Sequence, residues 1–236
     1  MLNTKVHDFK QWLRHHPNPR HRQMFQTLKK VRAFELPSPR VYNGLVCGIY
    51  TLSTTVSSTL MRWLVYTPVF RARATMTGRR LYLYSGTPYI SGPLQIYVGD
   101  DCRISGQTTM TGRSTSKNPT LRIGHNVGIG WQTTLAVGTQ IILEDNVRIA
   151  GRAFLCGYSG HPLDAARRAR GEPDDDDQAG DIHLKRDCWL GTNVSVKQGV
   201  TIGEGTIVAS DSVVIHDLPD FVLAAGNPAK VIRSLK

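Results

Sequence analysis

Aliphatic side chains recur at every sixth position through the second half of the chain, with a compact residue four places after each. One run places Val98, Ile104 and Met110 in the aliphatic slots and Cys102, Thr108 and Ser114 in the compact ones. The phase then slips. A second run uses Ile123, Ile129 and Leu135 with Val127, Thr133 and Thr139, and a third uses Leu143, Ile149 and Leu155 with Val147, Ala153 and Ser159. The longest runs Leu184, Leu190, Val196, Ile202, Val208, Val214, with Cys188, Val194, Val200, Thr206 and Ser212 between. An α-helix repeats every 3.6 residues and a flat strand every 2, so neither produces this period. A coiled prism does. Each unit supplies a short strand and a corner, three units make a turn of about 18 residues, and stacked turns pair at about 4.8 Å.

Two stretches break the pattern, Gly112 to Thr120 and His161 to Asp181, where Pro, Gly, Arg and Asp replace the aliphatic slots. Insertions in a solenoid build sites, so the longer stretch is the place to look for chemistry. Upstream, Lys5 to Arg14 and Arg20 to Arg32 read as short helices separated by Pro17 and Pro19. A third helix follows from Leu45, Ile49, Leu52, Val56, Leu60 and Trp63 at helical spacing. Residues 44 to 61 carry no formal charge. At 18 residues this run is at the lower edge for a membrane span, and its many Ser and Thr argue against one. It is expected to lie on a membrane surface or to pack as a cap or oligomer contact.

Charge sharpens this division. Residues 1 to 80 hold 14 Lys and Arg against Asp8 and Glu35, a net of +12, whereas residues 81 to 236 hold 15 basic against 16 acidic residues, a net of −1. The expected organisation is therefore a basic helical segment over 1–80 and a coiled domain over 81–236. A basic segment invites comparison with nucleic-acid binders, but its aromatics follow helical spacing and form no stacking platform, so nucleic acid is not an expected partner. The four cysteines show neither zinc-site spacing nor the density of a secreted scaffold. No signal-peptide pattern opens the sequence, so the expected location is the cytoplasm, at the inner face of the cytoplasmic membrane if residues 1–80 bind it.

The spacing, together with IGEGTIVASDSVV and the closing AGNPAKVIR, resembles the hexapeptide-repeat acyltransferases, and especially the maltose, galactoside and xenobiotic O-acetyltransferase branch, over residues 95 to 236. The resemblance implies a mainly β fold, a left-handed parallel β-helix, here with the N-terminal helical segment and a short C-terminal helix. The general crossover rule favours the opposite hand, so the left hand comes from the resemblance alone. It also implies acetyl-CoA as co-substrate, no metal, a homotrimer with sites between neighbouring coils, and a sugar acceptor, expected in surface-polysaccharide or glycolipid assembly; the net +12 beside an amphipathic helix points to an anionic membrane surface or a lipid-linked sugar. N-acetylation of an amino sugar or antibiotic uses the same base and stays open, as does a non-catalytic scaffold.

GYSGHPLDAARRARGEPD is similar to the stretch that carries the catalytic base in sugar acetyltransferases, which assigns His161 to that role. Asp164 is a candidate to orient its imidazole. By the same resemblance the pantetheine arm lies near Trp189, Gly191, Thr192, Ala209 and Ser210. Gly226, Asn227, Pro228 and Ala229 make the turn after the last coil, and Lys230 and Arg233 are candidates for phosphate contact. The relatives' Asn aligns with Gly130, a departure beside Trp131 and Gln132, which are placed in the acceptor pocket with core packing and trimer contact as equal readings. Cys156 raises a covalent route, which its expected role as a small apolar residue disfavours. The acidic run Asp174 to Asp177 has no calcium-loop pattern and reads as a solvated loop.

Overall fold

The computed structural model describes residues 2–236, which divide into a helical unit ending at Ser53 and a second unit, Thr54–Lys236. In the first unit α1 (Leu2–His15) and α2 (Pro19–Arg32) pack together, with Leu13 buried. The break between them follows from local chemistry. Pro19 takes the first helical position of α2, where no hydrogen-bond donor is needed, and the Asn18 side chain accepts from the Arg20 N–H at 2.9 Å. Trp12 packs edge-on against His16 and His21 at 4.5 and 5.1 Å. Helix α3 (Arg40–Met61) begins in this unit and ends in the second, and none of its residues is buried. Among the described residues no helix is long and apolar enough to cross a membrane.

In the second unit a π-helical turn, Arg62–Tyr66, leads into α4 (Thr67–Arg73), whose Phe70 is buried in the core of the coils. The first coil strand is Met76–Thr77, ahead of Leu81. From there the chain winds as a parallel solenoid with three faces of six, eight and six strands. The first face stacks Met76–Thr77, Gln95–Val98, Thr120–Ile123, Gln140–Leu143, Ile182–Leu184 and Thr201–Ile202. The second stacks Tyr82–Tyr84, Arg103–Ser105, Gly128–Ile129, Arg148–Ile149, Trp189–Leu190, Ile207–Val208 and Val222–Gly226, with Ala229–Ser234 as its eighth, antiparallel strand. The third stacks Tyr89–Ser91, Thr109–Gly112, Thr134–Val137, Phe154–Cys156, Ser195–Lys197 and Val213–Val214.

Register explains the six-residue period. Val98, Ile123, Leu143, Leu184 and Ile202 lie one above another on the first face, and Met110, Leu135, Leu155, Val196 and Val214 on the third, all pointing into the prism. Each buried Leu or Ile contributes on the order of 1.5–3 kcal/mol. Corners demand left-handed backbone, and Asn126, Asn146 and Asp187 take it at φ 53°, 63° and 61°. Their short polar side chains tolerate that conformation and link into a ladder, with the Asn126 amide donating to Asn146 at 2.9 Å and the Asn146 amide donating to Asp187 at 2.8 Å.

One expected element is different. The chain ends in a strand, Ala229–Ser234, antiparallel to Val222–Gly226, where a short C-terminal helix was expected. The last coil presents an unpaired strand edge, and a returning strand satisfies its backbone groups where a helix would not.

Candidate active site

Two regions gather the sequence-derived candidates, and they lie on different edges of the prism. The first is the edge where the second face turns into the third. Here Gly130 N–H donates to the Ile149 carbonyl, Ala150 to Leu190, Gly191 to Val208 and Ala209 to Ala224, at 2.8–3.0 Å. The column carries only hydrogen or methyl side chains, and at its two glycines the neighbouring coil leaves no room for a Cβ. A Cβ on Gly130 would stand 2.6 Å from the Gly151 nitrogen, and one on Gly191 2.6 Å from the Ser210 nitrogen. Any side chain at Gly130, including the Asn that the resemblance leads one to expect, would force this backbone to shift. Thr192 continues the corner, its carbonyl accepting from the Asp211 N–H at 3.0 Å, and Ser210 is exposed beside it.

The same edge runs into the C-terminal hairpin. The Gly226 N–H donates to Ser212 Oγ at 3.1 Å, Gly226 holds φ 109°, and Asn227–Pro228 is a cis peptide at the tip. Ala229 packs against the core, while Lys230 pairs with Ala225 and Arg233 with Leu223, both cations exposed. The turn expected from Gly226 to Ala229 is thus present, and Lys230 and Arg233 lie on the strand that follows it.

Trp131 stands on this edge above Gly151, where a Cβ would meet its indole nitrogen at 2.7 Å, and the Arg152 guanidinium lies 5.7 Å from its ring. Gln132 is exposed and holds φ 56°. Trp189, 51% exposed, lines a shallow recess of about 290 Å³ on the second face with Tyr84, Arg103, Gly128, Gly130 and Arg148. The two arginines were not singled out in the sequence. The signal was there, because each immediately precedes an inward aliphatic slot, Ile104 or Ile149, and so points outward in the column that holds Trp189. Burial holds the Arg148 guanidinium pKa below its ordinary value, helped by the Arg103 charge. Its donors go to the Asn126 carbonyl and side chain and to the Val147 carbonyl.

The second region is the edge where the third face turns into the first. Both interruptions of the repeat leave here, one after Thr109–Gly112 and the other after Phe154–Cys156. His161 opens the longer loop and is exposed; its carbonyl accepts from Ser159 Oγ at 2.9 Å and from Gln178 Nε2 at 3.4 Å. Among the described residues its imidazole makes no hydrogen bond. Asp164 accepts from the Arg167 N–H at 2.7 Å and caps a short helix, α5 (Ala165–Ala169), and no hydrogen bond joins it to His161 among the described residues.

The acidic run corrects the sequence reading. Asp174 is not solvated: it is buried against Arg113 of the shorter interruption, with side chains 3% and 4% exposed. Arg113 Nε donates to Asp174 Oδ1 at 2.9 Å, Nη2 to the Asp174 carbonyl at 2.8 Å and Nη1 to Asp176 Oδ1 at 2.8 Å. The far oxygen of Asp174 accepts from the Gly160 N–H at 3.0 Å, immediately before His161. Burial, the largest influence, pushes the Asp174 carboxyl pKa up. Arg113, the Gly160 amide and Ser159 outweigh it and hold the carboxyl below its usual range. Cys156 donates to the Tyr158 carbonyl at 3.2 Å, and burial raises its thiol pKa, which disfavours the thiolate a nucleophile needs. Among the described residues no cluster of three or more His, Cys, Asp or Glu is arranged to hold a metal.

No family model matches the chain. It is 37% identical over 113 residues to a candidate acetyltransferase of Saccharomyces cerevisiae, covering 48% of this chain and 55% of the relative. It is 38% identical over 134 residues to one of Staphylococcus aureus, covering 52% and 65%. It is also 32% identical over 115 residues to the galactoside O-acetyltransferase of Escherichia coli, covering 49% and 54%. The chain thus spans little more than half to just under two thirds of the length of these curated relatives. Among solved structures, an N-acyltransferase of Bacillus cereus, AntD, in complex with dTDP-4-amino-4,6-dideoxyglucose and coenzyme A, superposes with a TM-score of 0.59 at 21% identity. That match covers 72% of this chain and 89% of AntD, and it shows the fold. With its six-residue repeat, its three-faced parallel solenoid and these relatives, the chain resembles the hexapeptide-repeat acyltransferases in sequence and shares the β-solenoid fold.

Proposed function

We propose that this protein moves an acetyl group from acetyl-CoA to a hydroxyl of a sugar, in surface-polysaccharide or glycolipid assembly. The observation that carries the reading is the bare column from Gly130 through Ala150, Gly191 and Ala209, running into the hairpin of Lys230 and Arg233. An extended pantetheine arm needs a groove without side chains along it, and the phosphates at its end need cations. Trp189, Gly191, Thr192, Ala209 and Ser210 line the arm, and Gly226 to Ala229 turn the chain so that Lys230 and Arg233 meet the phosphates. The identity of the relatives as acetyltransferases supports the same donor.

His161 acts as general base. Its imidazole takes the acceptor proton as the hydroxyl oxygen attacks the thioester carbonyl. The tetrahedral oxyanion collapses, the carbon–sulfur bond breaks, and the departing thiolate receives the proton from the imidazolium. Trp131 and Gln132 offer a sugar a stacking face and an amide. One chain holds the base and the column on separate edges, so the complete site joins the His161 loop of one copy to the column of the next in a homotrimer. Residues 1–80, at net +12, meet an anionic membrane surface and bring a lipid-linked acceptor within reach.

Thiol release from acetyl-CoA against a panel of sugars, amino sugars and lipid-linked saccharides tests the reaction and separates O- from N-acetylation. His161→Ala should remain folded by circular dichroism and lose about 10² to 10⁴-fold in turnover. Normal turnover in that variant removes the assignment.

A further inference from the structure

We infer that the groove between α1 and α2 is a lipid site, taking the acyl region of an anionic phospholipid in its floor and the phosphate on its rim. The inference rests on the reading that residues 1–80 meet an anionic membrane, and it assigns that contact to particular side chains. The groove encloses about 700 Å³. Its floor is apolar, made by Val6, Phe9, Leu13, Phe25 and Leu28, with Phe9 and Leu28 53% and 52% exposed. Its rim carries Lys5, Lys10, Arg14, Lys29 and Arg32, and no Asp or Glu lines it.

These five cations take part in no ion pair among the described residues. What distinguishes them is their gathering, since all five share the lining of one groove that holds no carboxylate. Five uncompensated charges around half-exposed aromatic and aliphatic side chains complement a molecule with an anionic head and an apolar body. Two other occupants fit less well. A second copy docking groove to groove would set one ring of cations against another without a carboxylate between them. A nucleic acid would match the rim but leave Val6, Phe9 and Leu28 facing water.

The test uses the full-length protein and vesicles of phosphatidylcholine, with or without phosphatidylglycerol. Co-sedimentation should need the anionic lipid and weaken as salt rises, because exposed charges are screened. Each basic residue near an anionic surface strengthens binding roughly fivefold, so Lys10→Gln with Lys29→Gln should weaken partitioning about 25-fold. Phe9→Ser with Leu28→Ser should also weaken it while every cation stays in place, which a purely electrostatic surface contact would not show. Glycerol phosphate at millimolar concentration should fail to displace the protein, because a free anion leaves the floor unfilled.

If the protein sediments with anionic vesicles but both double variants bind like the parent, the groove is refuted and the broader membrane reading survives. Absence of sedimentation refutes both. Self-association lost on Phe9→Ser and Leu28→Ser, with no vesicle binding, makes the groove a contact between copies instead. His161→Ala should bind vesicles normally, so failure of acetyl transfer leaves this result readable.

Discussion

Replacing Arg113 by Met tests whether a buried ion pair between two insertions holds the loop that presents His161. The guanidinium touches Asp174 twice and Asp176 once, at 2.8–2.9 Å, with a longer contact to Ser116 Oγ at 3.4 Å. Removing it leaves the Asp174 carboxylate, 3% exposed, without a counter-charge. Breaking a buried pair from one side costs about 3–5 kcal/mol. The cost should fall on the loop, because the aliphatic stacks inside the prism are untouched. At about 1.4 kcal/mol per factor of ten, the loop should open roughly two to four orders of magnitude more often. Arg167, Arg168 and Arg170 lie in that loop, so trypsin cleavage there reads the opening, and amide exchange at Gly160 and His161 reads it independently. Arg113→Lys should fall between, since one ammonium cannot reproduce the forked contact. In the acetyl-transfer assay kcat should drop while KM for acetyl-CoA holds, the pattern of a positioning residue remote from the proposed donor groove. The parent should also show an acid limit: a carboxyl whose folded pKa is lowered stabilises above its unfolded value, near 3.9, and loses that contribution as pH falls through the folded one. Unchanged cleavage and exchange in Arg113→Met would refute this account, and so would a fall in the Tm of the coils that matches the loop's.

Two further outcomes follow from burial and packing. Burial raises the pKa of Cys102 and Cys156 and pushes Cys188 up to about 12, while Cys47 is exposed, so iodoacetamide at pH 8 should label Cys47 first and Cys102 and Cys188 only on unfolding; Cys156→Ser should keep its turnover, and loss of activity there would revive an acyl-enzyme. Gly130→Ala should lower stability by about 1–3 kcal/mol in thermal melts, since its Cβ meets backbone at 2.6 Å, whereas Gly44→Ala, with nothing within 4 Å in α3, should not destabilise.

The prism was legible because a buried position has one requirement, that its side chain fill the interior, and the register repeats that requirement at a fixed interval. Every aliphatic slot from Val98 to Val214 is buried, and so are the compact slots Cys102, Thr108, Val127, Thr133, Val147 and Ala153. The pattern fails at Ser114, Thr139 and Ser159, which are exposed. Each follows a third-face strand, at the edge where the chain turns back to the first face, and at Ser114 and Ser159 an interruption of the repeat begins beside it. The C-terminal element was not legible, because local preference in AKVIR does not decide between helix and strand. The unpaired edge of Val222–Gly226 decides it, and that edge exists only once the coils are stacked. Asp174 was misread for a related reason: its partner lies 61 residues away, and the acidic run carries no local sign of it. Turn counting supplies the missing sign, since both interruptions follow a third-face strand and must emerge at one edge.

The same counting separates His161 from Gly191, Ala209 and the hairpin, and it turns the proposed trimer into a quantitative expectation. Chains carrying His161→Ala keep the donor track and lose the base. Chains carrying Lys230→Glu with Arg233→Glu keep the base, and both substitutions fall on exposed hairpin positions, so the coils should be undisturbed. If each site takes its loop from one copy and its track from the next, neither variant works alone. Random mixed trimers made by co-expression then hold an intact base opposite an intact track at about a quarter of their sites, because each of two independent choices is right half the time. Recovery near one quarter of parental turnover supports a site between copies. If the loop and the track of a single chain formed the site, every chain in the mixture would carry one defect, and mixing would restore nothing.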